Sequence, residues 1–211
     1  MNNNTAYEPA SAGAIAGEAF NYMGAQVSPN DVTFTRNISY GPITGSGLNC
    51  SGGPPFSGPT CTPGHCITTC RMYNNTFTTT AGSAFGTDVT CAAPGQNQTI
   101  IDMRNNILDS SRAIWVGQAC GSNTTITWDY NDDCATQQIN GVSCYLWPNG
   151  GSYFSLGNFQ SATGQGTHDW FYTNPDYVDP TGGNFALLAG SPLVGAGLPN
   201  LVAGLSDIGA F

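Results

Sequence analysis

An all-β solenoid, a chain wound into stacked coils, is the fold class this sequence predicts. Three observations predict it. The first is a fourfold repeat: VTFTRNIS (32–39), CRMYNNTF (70–77), IDMRNNIL (101–108) and ITWDYNDD (126–133). Aligned, these place Asn37, Asn75, Asn106 and Asn131 in one column. Val32, Cys70, Ile101 and Ile126 stand five residues earlier, and Phe34, Met72, Met103 and Trp128 three earlier. Two apolar columns separated by polar positions are the period-2 signature of strands with one buried face. The second observation is the unequal spacing of the asparagines, 38, 31 and 25 residues. A solenoid absorbs it by keeping strands in register while loops of different length leave one corner. The third is composition. Hydrophobic residues make up 40% of the 211 positions and charged residues 8%, so a core can form and the polar remainder suits turns and strand exteriors.

The asparagines then have a role that strand propensity alone would deny them. Each is placed at the bend between two strands, where asparagine tolerates left-handed backbone, and stacked side chains can hydrogen-bond up the column. The competing arrangement is four hairpin turns in an antiparallel sandwich. The matched inward columns favour the solenoid.

These repeats resemble those of right-handed parallel β-helix proteins. Residues 171–211 also resemble the closing segment of many secreted bacterial members. Its elements are Pro175 to Pro180, Phe185 to Leu187, the Gly190-Ser191-Pro192 turn, and a final Asp207 to Phe211 reading DIGAF. The resemblance implies about five to seven coils and no large helical domain. Residues 1–19 form an N-terminal segment or cap, 20–170 the coils with inserted loops (44–69 the longest), and 171–211 the closing segment. That family includes polysaccharide lyases, glycoside hydrolases, adhesins and surface proteins, so fold alone does not choose a function.

Charge excludes some partners. There is no lysine, and Arg36, Arg71, Arg104 and Arg112 face 13 acidic residues for a net charge of -9. No basic patch exists to neutralise nucleic-acid phosphates or to hold an anionic membrane. No segment is long and apolar enough to span a bilayer, and the N-terminus is no signal peptide.

Eight cysteines, an even number, point to disulfides and an oxidising, extracellular setting. Cys61, His65, Cys66 and Cys70 lack zinc-finger spacing. Cys50, Cys91, Cys120 and Cys144 fall 13 to 16 residues after successive ladder asparagines. Bonds between neighbouring coils are therefore expected, Cys91–Cys120 first, with Cys134–Cys144 closing a loop within one coil. Sequons at Asn3, Asn37, Asn49, Asn74, Asn97 and Asn123 fit a secreted glycoprotein. The aromatic residues of the last third, Tyr145 to Tyr177, either cap the open end of the solenoid or stack on sugars.

The outward positions carry the candidate chemistry. The register places Arg71 beside Asp102 and Arg104 beside Asp129. In outline this resembles calcium-dependent lyases of acidic polysaccharides. The resemblance implies Arg104 as base, Arg71 holding the substrate carboxylate, and Asp102 and Asp129 as Ca2+ ligands. Asp129, Asp132 and Asp133, in DYNDD, are also spaced for a calcium site. The chain departs from that family in having no lysine and a net charge that repels polyanions. Surface ion pairs are the competing explanation of the patch. His65 and His168 are far apart and have no evident Ser or Cys partner, so no hydrolase triad is supported. The expected function is a non-catalytic extracellular module for adhesion, glycan binding or structural assembly, including a fibre or sheath subunit. Its partners are a polysaccharide, a cell-surface glycan or further copies of itself. The alternative is a lyase, and the only cofactor implied is Ca2+.

Overall fold

The computed structural model describes residues 3–7, 18–23, 30–41, 46–51, 66–79, 85–90, 97–110, 112–116, 124–134, 143–147, 151–171 and 173–210. Strand β1 (Thr5–Tyr7) comes first. The chain then makes four circuits of three strands each. These are β2 (Glu18–Met23), β3 (Asn30–Thr35) and β4 (Ile38–Gly41), followed by β5 (Ser46–Ser51), β6 (Cys66–Tyr73) and β7 (Thr76–Thr79). Next come β8 (Phe85–Thr90), β9 (Asn97–Arg104) and β10 (Ile107–Asp109), then β11 (Arg112–Val116), β12 (Thr124–Asp129) and β13 (Asp132–Asp133). The chain closes with β14 (Tyr145–Trp147), β15 (Gly151–Tyr153), helix α1 (Leu156–Thr163), β16 (Trp170–Phe171), β17 (Tyr177–Asp179) and β18 (Asn184–Leu187).

Each circuit visits three sheets in the same order. Sheet I runs β15-β14-β11-β8-β5-β2, sheet II β12-β9-β6-β3, and sheet III β1-β4-β7-β10-β13-β16. Pairing is parallel throughout these sheets except for the β14–β15 hairpin, and β17–β18 form a separate antiparallel pair. Among the described residues four circuits are complete, and β1 and β14 to β16 add partial ones at the two ends. The stack also starts earlier than expected, since β1 already pairs with β4. Residues 46–51 and 66–69, expected in the longest loop, are strand, and 52–65 lie outside the described residues.

The register of sheet II aligns the predicted columns. Val32, Cys70, Ile101 and Ile126 are Cα partners in turn, as are Phe34, Met72, Met103 and Trp128. The second column is fully buried, as are Cys70 and Ile101, while Val32 and Ile126 are half-buried. Phe77 and Leu108 of sheet III and Ile114 and Tyr145 of sheet I meet them to complete the core. Burying each such side chain contributes roughly 1.5–3 kcal/mol.

Sheets II and III meet at a two-residue bend whose first residue has positive φ: Arg36 (57°), Asn74 (54°), Asn105 (60°) and Tyr130 (59°). The ladder asparagine is the second residue and is not left-handed, contrary to expectation. The bend needs left-handed backbone one position earlier, which turns the following side chain inward.

The last circuit is covered by α1. Ser155 Oγ accepts from the Asn158 N–H at its start, and Gly164 (φ 70°) ends it with a bond to the Gln160 carbonyl. Its buried Phe159 stacks on Tyr145 at 4.1 Å and meets Trp147 edge-on at 4.9 Å. Residues 173–210 do not sit on the end of the stack. They run back along the outer face of sheet III, where Ile107 packs with Leu193 and Ile208, and Tyr40 with Phe185. Among the described residues, no helix is long and apolar enough to cross a membrane, which says nothing of strands.

Candidate functional site

The asparagine column is a continuous hydrogen-bonded ladder. Asn106 shows the unit. Its Oδ1 accepts from the Asn75 N–H and Nδ2, and its Nδ2 donates to Asn131 Oδ1 at 2.9 Å and to the Met72 carbonyl at 2.9 Å. Asn37 donates to Asn75 Oδ1 in the same way. The ladder is longer at both ends than the four repeats imply. Asn4 donates to Asn37 Oδ1, and Asp169 Oδ1 accepts from the Asn131 N–H at 2.8 Å. Neither residue is flanked by the alternating apolar pattern, so the repeat does not reach them.

The residue before each ladder asparagine faces the other way. Asn74 Nδ2 donates to the Asp207 carbonyl; Asn105 exchanges two hydrogen bonds with the Leu198 backbone. The paired asparagines thus divide their work, the second tying the stack and the first tying down the C-terminal segment. Gly197 is required there, because a Cβ would stand 2.9 Å from Asn105 Cγ and 2.8 Å from the Asp207 carbonyl oxygen.

On the outer face of sheet II, the cross-strand neighbours are Arg71 with Asp102 and Arg104 with Asp129. The ion pairs form otherwise. Arg71 Nη1 reaches Asp31 Oδ1. Arg104 Nε lies 2.8 Å from Asp102 Oδ1 along its own strand, close in distance but out of line as a hydrogen bond. Tyr73 Oη donates to Asp102 Oδ2 at 2.6 Å. Asp129 instead accepts from the His168 N–H and Nδ1, both at 2.8 Å, and the His168 ring stacks on Tyr130. The Asp31 hydrogen bond raises the pKa of Arg71, which keeps it a cation. Burial first, then the Asp102 bond, raises that of Tyr73.

The four carboxylates considered for calcium do not meet. Asp102 and Asp129 have the partners just given. Asp132 and Asp133, adjacent on β13, face opposite sides of sheet III. Asp133 points inward and accepts from Tyr145 Oη at 2.8 Å and Trp128 Nε1 at 3.2 Å. Among the described residues there is no group of three or more His, Cys, Asp or Glu side chains placed to hold a metal ion.

Cys134 and Cys144 form a disulfide across 10 residues, and Cys70 is also disulfide-bonded. Cys61, Cys91, Cys120, His65 and Asn123 lie outside the described residues, as do the side chains of Cys50, Cys66, Asn49 and Asn97. Two sequons fall on unsuitable residues. Asn37 and Asn74 are fully buried and hydrogen-bonded, leaving no room for a glycan, whereas Asn3 is exposed. The late aromatics divide. Tyr145, Trp147, Tyr153, Phe159 and Phe171 belong to the core cluster, while Phe154 and Trp170 are exposed. No family model, curated protein or solved structure matches the chain.

Proposed function

We propose that the chain is a parallel β-helix, right-handed as the family resemblance implies, serving as a non-catalytic extracellular or cell-surface module. Its work is adhesion, glycan binding or assembly, and the outer face of sheet II is the surface that meets a glycan. The carrying observation is that the ionisable groups of that face are tied to one another: Arg71 to Asp31, Arg104 and Tyr73 to Asp102, and His168 to Asp129. A lyase needs a base that can give up its proton. The base implied by the resemblance, Arg104, is paired with Asp102, and the Tyr73 phenol, its pKa raised by burial and by Asp102, is a poor substitute. What the face offers instead is the Thr127 hydroxyl, half-buried carboxylates and guanidinium groups, and the Tyr73 ring. Those groups suit the hydroxyls and ring faces of a neutral glycan better than a polyanion, which the net charge of -9 repels.

The test is binding of the full chain to a panel of neutral and acidic polysaccharides, compared with Tyr73→Ala and Thr127→Ala. Retention by a neutral glycan that weakens in both variants supports the proposal. Selective binding of acidic polymers, strengthened by calcium, would favour the lyase alternative.

A further inference from the structure

We propose that the C-terminal end is an acid-held latch: helix α1, the loop 165–169 and the segment 173–210 stay seated while the carboxyl groups of Asp132, Asp133 and Asp169 are neutral, and loosen when these ionise. The latch does not depend on what sheet II binds.

Three placements carry the inference. Asp133 stands in the inward column of sheet III after Phe77 and Leu108, in register with Phe171 and fully buried. Its Oδ2 takes both donors, Trp128 Nε1 and Tyr145 Oη, and its Oδ1 has none. Asp169 occupies the ladder position next to Asn131. Its Oδ1 accepts the Asn131 N–H, while its Oδ2 has no donor. The two carboxyl groups are hydrogen-bond neighbours, a contact that requires a proton on one of them. Asp132, on the opposite face of β13, is fully buried, and neither oxygen has a donor in good hydrogen-bond geometry, the Thr173 backbone amide being the one donor that acts on it. The C-terminal segment covers that face.

The surroundings oppose charge from every side. Asp109 of β10 acts on Asp132 and on Tyr177 of β17. Asp129 of β12 acts on Asp169. Tyr145 of β14 and Trp128 of β12 face Asp133 as donors, and the Thr173 backbone amide favours a charge on Asp132 less than burial and Asp109 oppose it. Among the described residues, no arginine or histidine is one of the groups acting on the three. Burial is the leading cause in each case. It pushes Asp133 up to about 7, and Asp132 and Asp169 well above the ordinary carboxyl range. Groups raised in the folded state lend stability that is complete below the unfolded carboxyl range and is lost as pH rises through the folded values. The latch therefore loosens upward in pH, from about 4, the unfolded range, through the Asp133 value of about 7. Loosening uncovers the strip of sheet III that holds Tyr40, Thr76, Thr78 and Ile107.

Hydrogen exchange of the full chain at about pH 5 and about pH 8, corrected for intrinsic rates, reads this directly. Opening of 156–163 and 184–210 is expected to rise by up to about tenfold per pH unit for each proton released. The strands Cys70–Tyr73 and Ile101–Arg104 should change little. In Asp133→Asn the introduced amide can donate to Asp169 as the shared proton does, and in Asp132→Asn the charge is removed. Each variant should lose several-fold of the rise. Equal opening at both pH values, or a rise undiminished in both variants, overturns the latch. Should either variant fail to fold, carbon-13 titration of the wild-type aspartate carboxyls decides. Three midpoints well above the ordinary range support the latch, and full ionisation by about pH 5 overturns it.

Discussion

The ladder column and the charged columns of sheet II lie only two and four residues apart along the chain and are held in opposite ways. Inside, one residue type repeats, and each member is fixed by the rungs above and below. Outside, residue type varies from strand to strand, and each charge reaches the nearest opposite charge: diagonally for Arg71, along the strand for Arg104. The contrast locates the stability of the stack in the inner column. A buried amide column leaves no substitute partner if a rung is lost, whereas water replaces an exposed ion pair at little cost.

The sharpest way to break that contrast is Asn106→Ala. It leaves the buried Asn75 N–H without an acceptor and takes one bond each from the Asn75 amide and the Met72 carbonyl, while Asn131 Oδ1 keeps the backbone N–H of residue 106. At about 1–3 kcal/mol for a buried group left unsatisfied, denaturant unfolding should show a loss of about 3 kcal/mol. A loss below about 1 kcal/mol would mean that the column is not a structural spine. Phe159→Ala is comparable in size. It removes the ring that closes the last circuit over Tyr145 and Trp147 and should cost about 3–4 kcal/mol by thermal unfolding.

The ladder was legible in sequence because the alternating columns repeat around it. Its ends were not: Asn4 lies in a run of polar residues, and Asp169 is a carboxylate in an amide column. Nor could sequence say which asparagine of each NN pair is left-handed. The structure places Arg36 and Tyr130 at that same position in the other two repeats, so the position, not the residue, demands it. The ion pairs were misassigned for a physical reason. Register fixes Cα neighbours, but a long arginine side chain chooses among several carboxylates within reach. The inward Asp133 was read as a calcium ligand because a short acidic run shows spacing but not which face each residue takes.

Smaller effects sharpen the contrast. Arg36→Asn should stabilise by up to about 1 kcal/mol, since asparagine accepts the left-handed bend more readily, and a thermal melt will show it. Arg71→Ala, at an exposed pair, should change stability by at most ~1 kcal/mol, and less in high salt. A loss comparable to that of Asn106→Ala would erase the distinction between the two regions.

The proposal that the charged face of sheet II is a paired, non-catalytic surface is tested most directly by a product assay. Release of unsaturated uronate from a panel of acidic polysaccharides would be followed with calcium and with chelator, for the wild type and for Arg104→Ala. No product is expected from any substrate in any condition. Product that requires calcium and vanishes in Arg104→Ala would contradict it and place the catalytic base on β9.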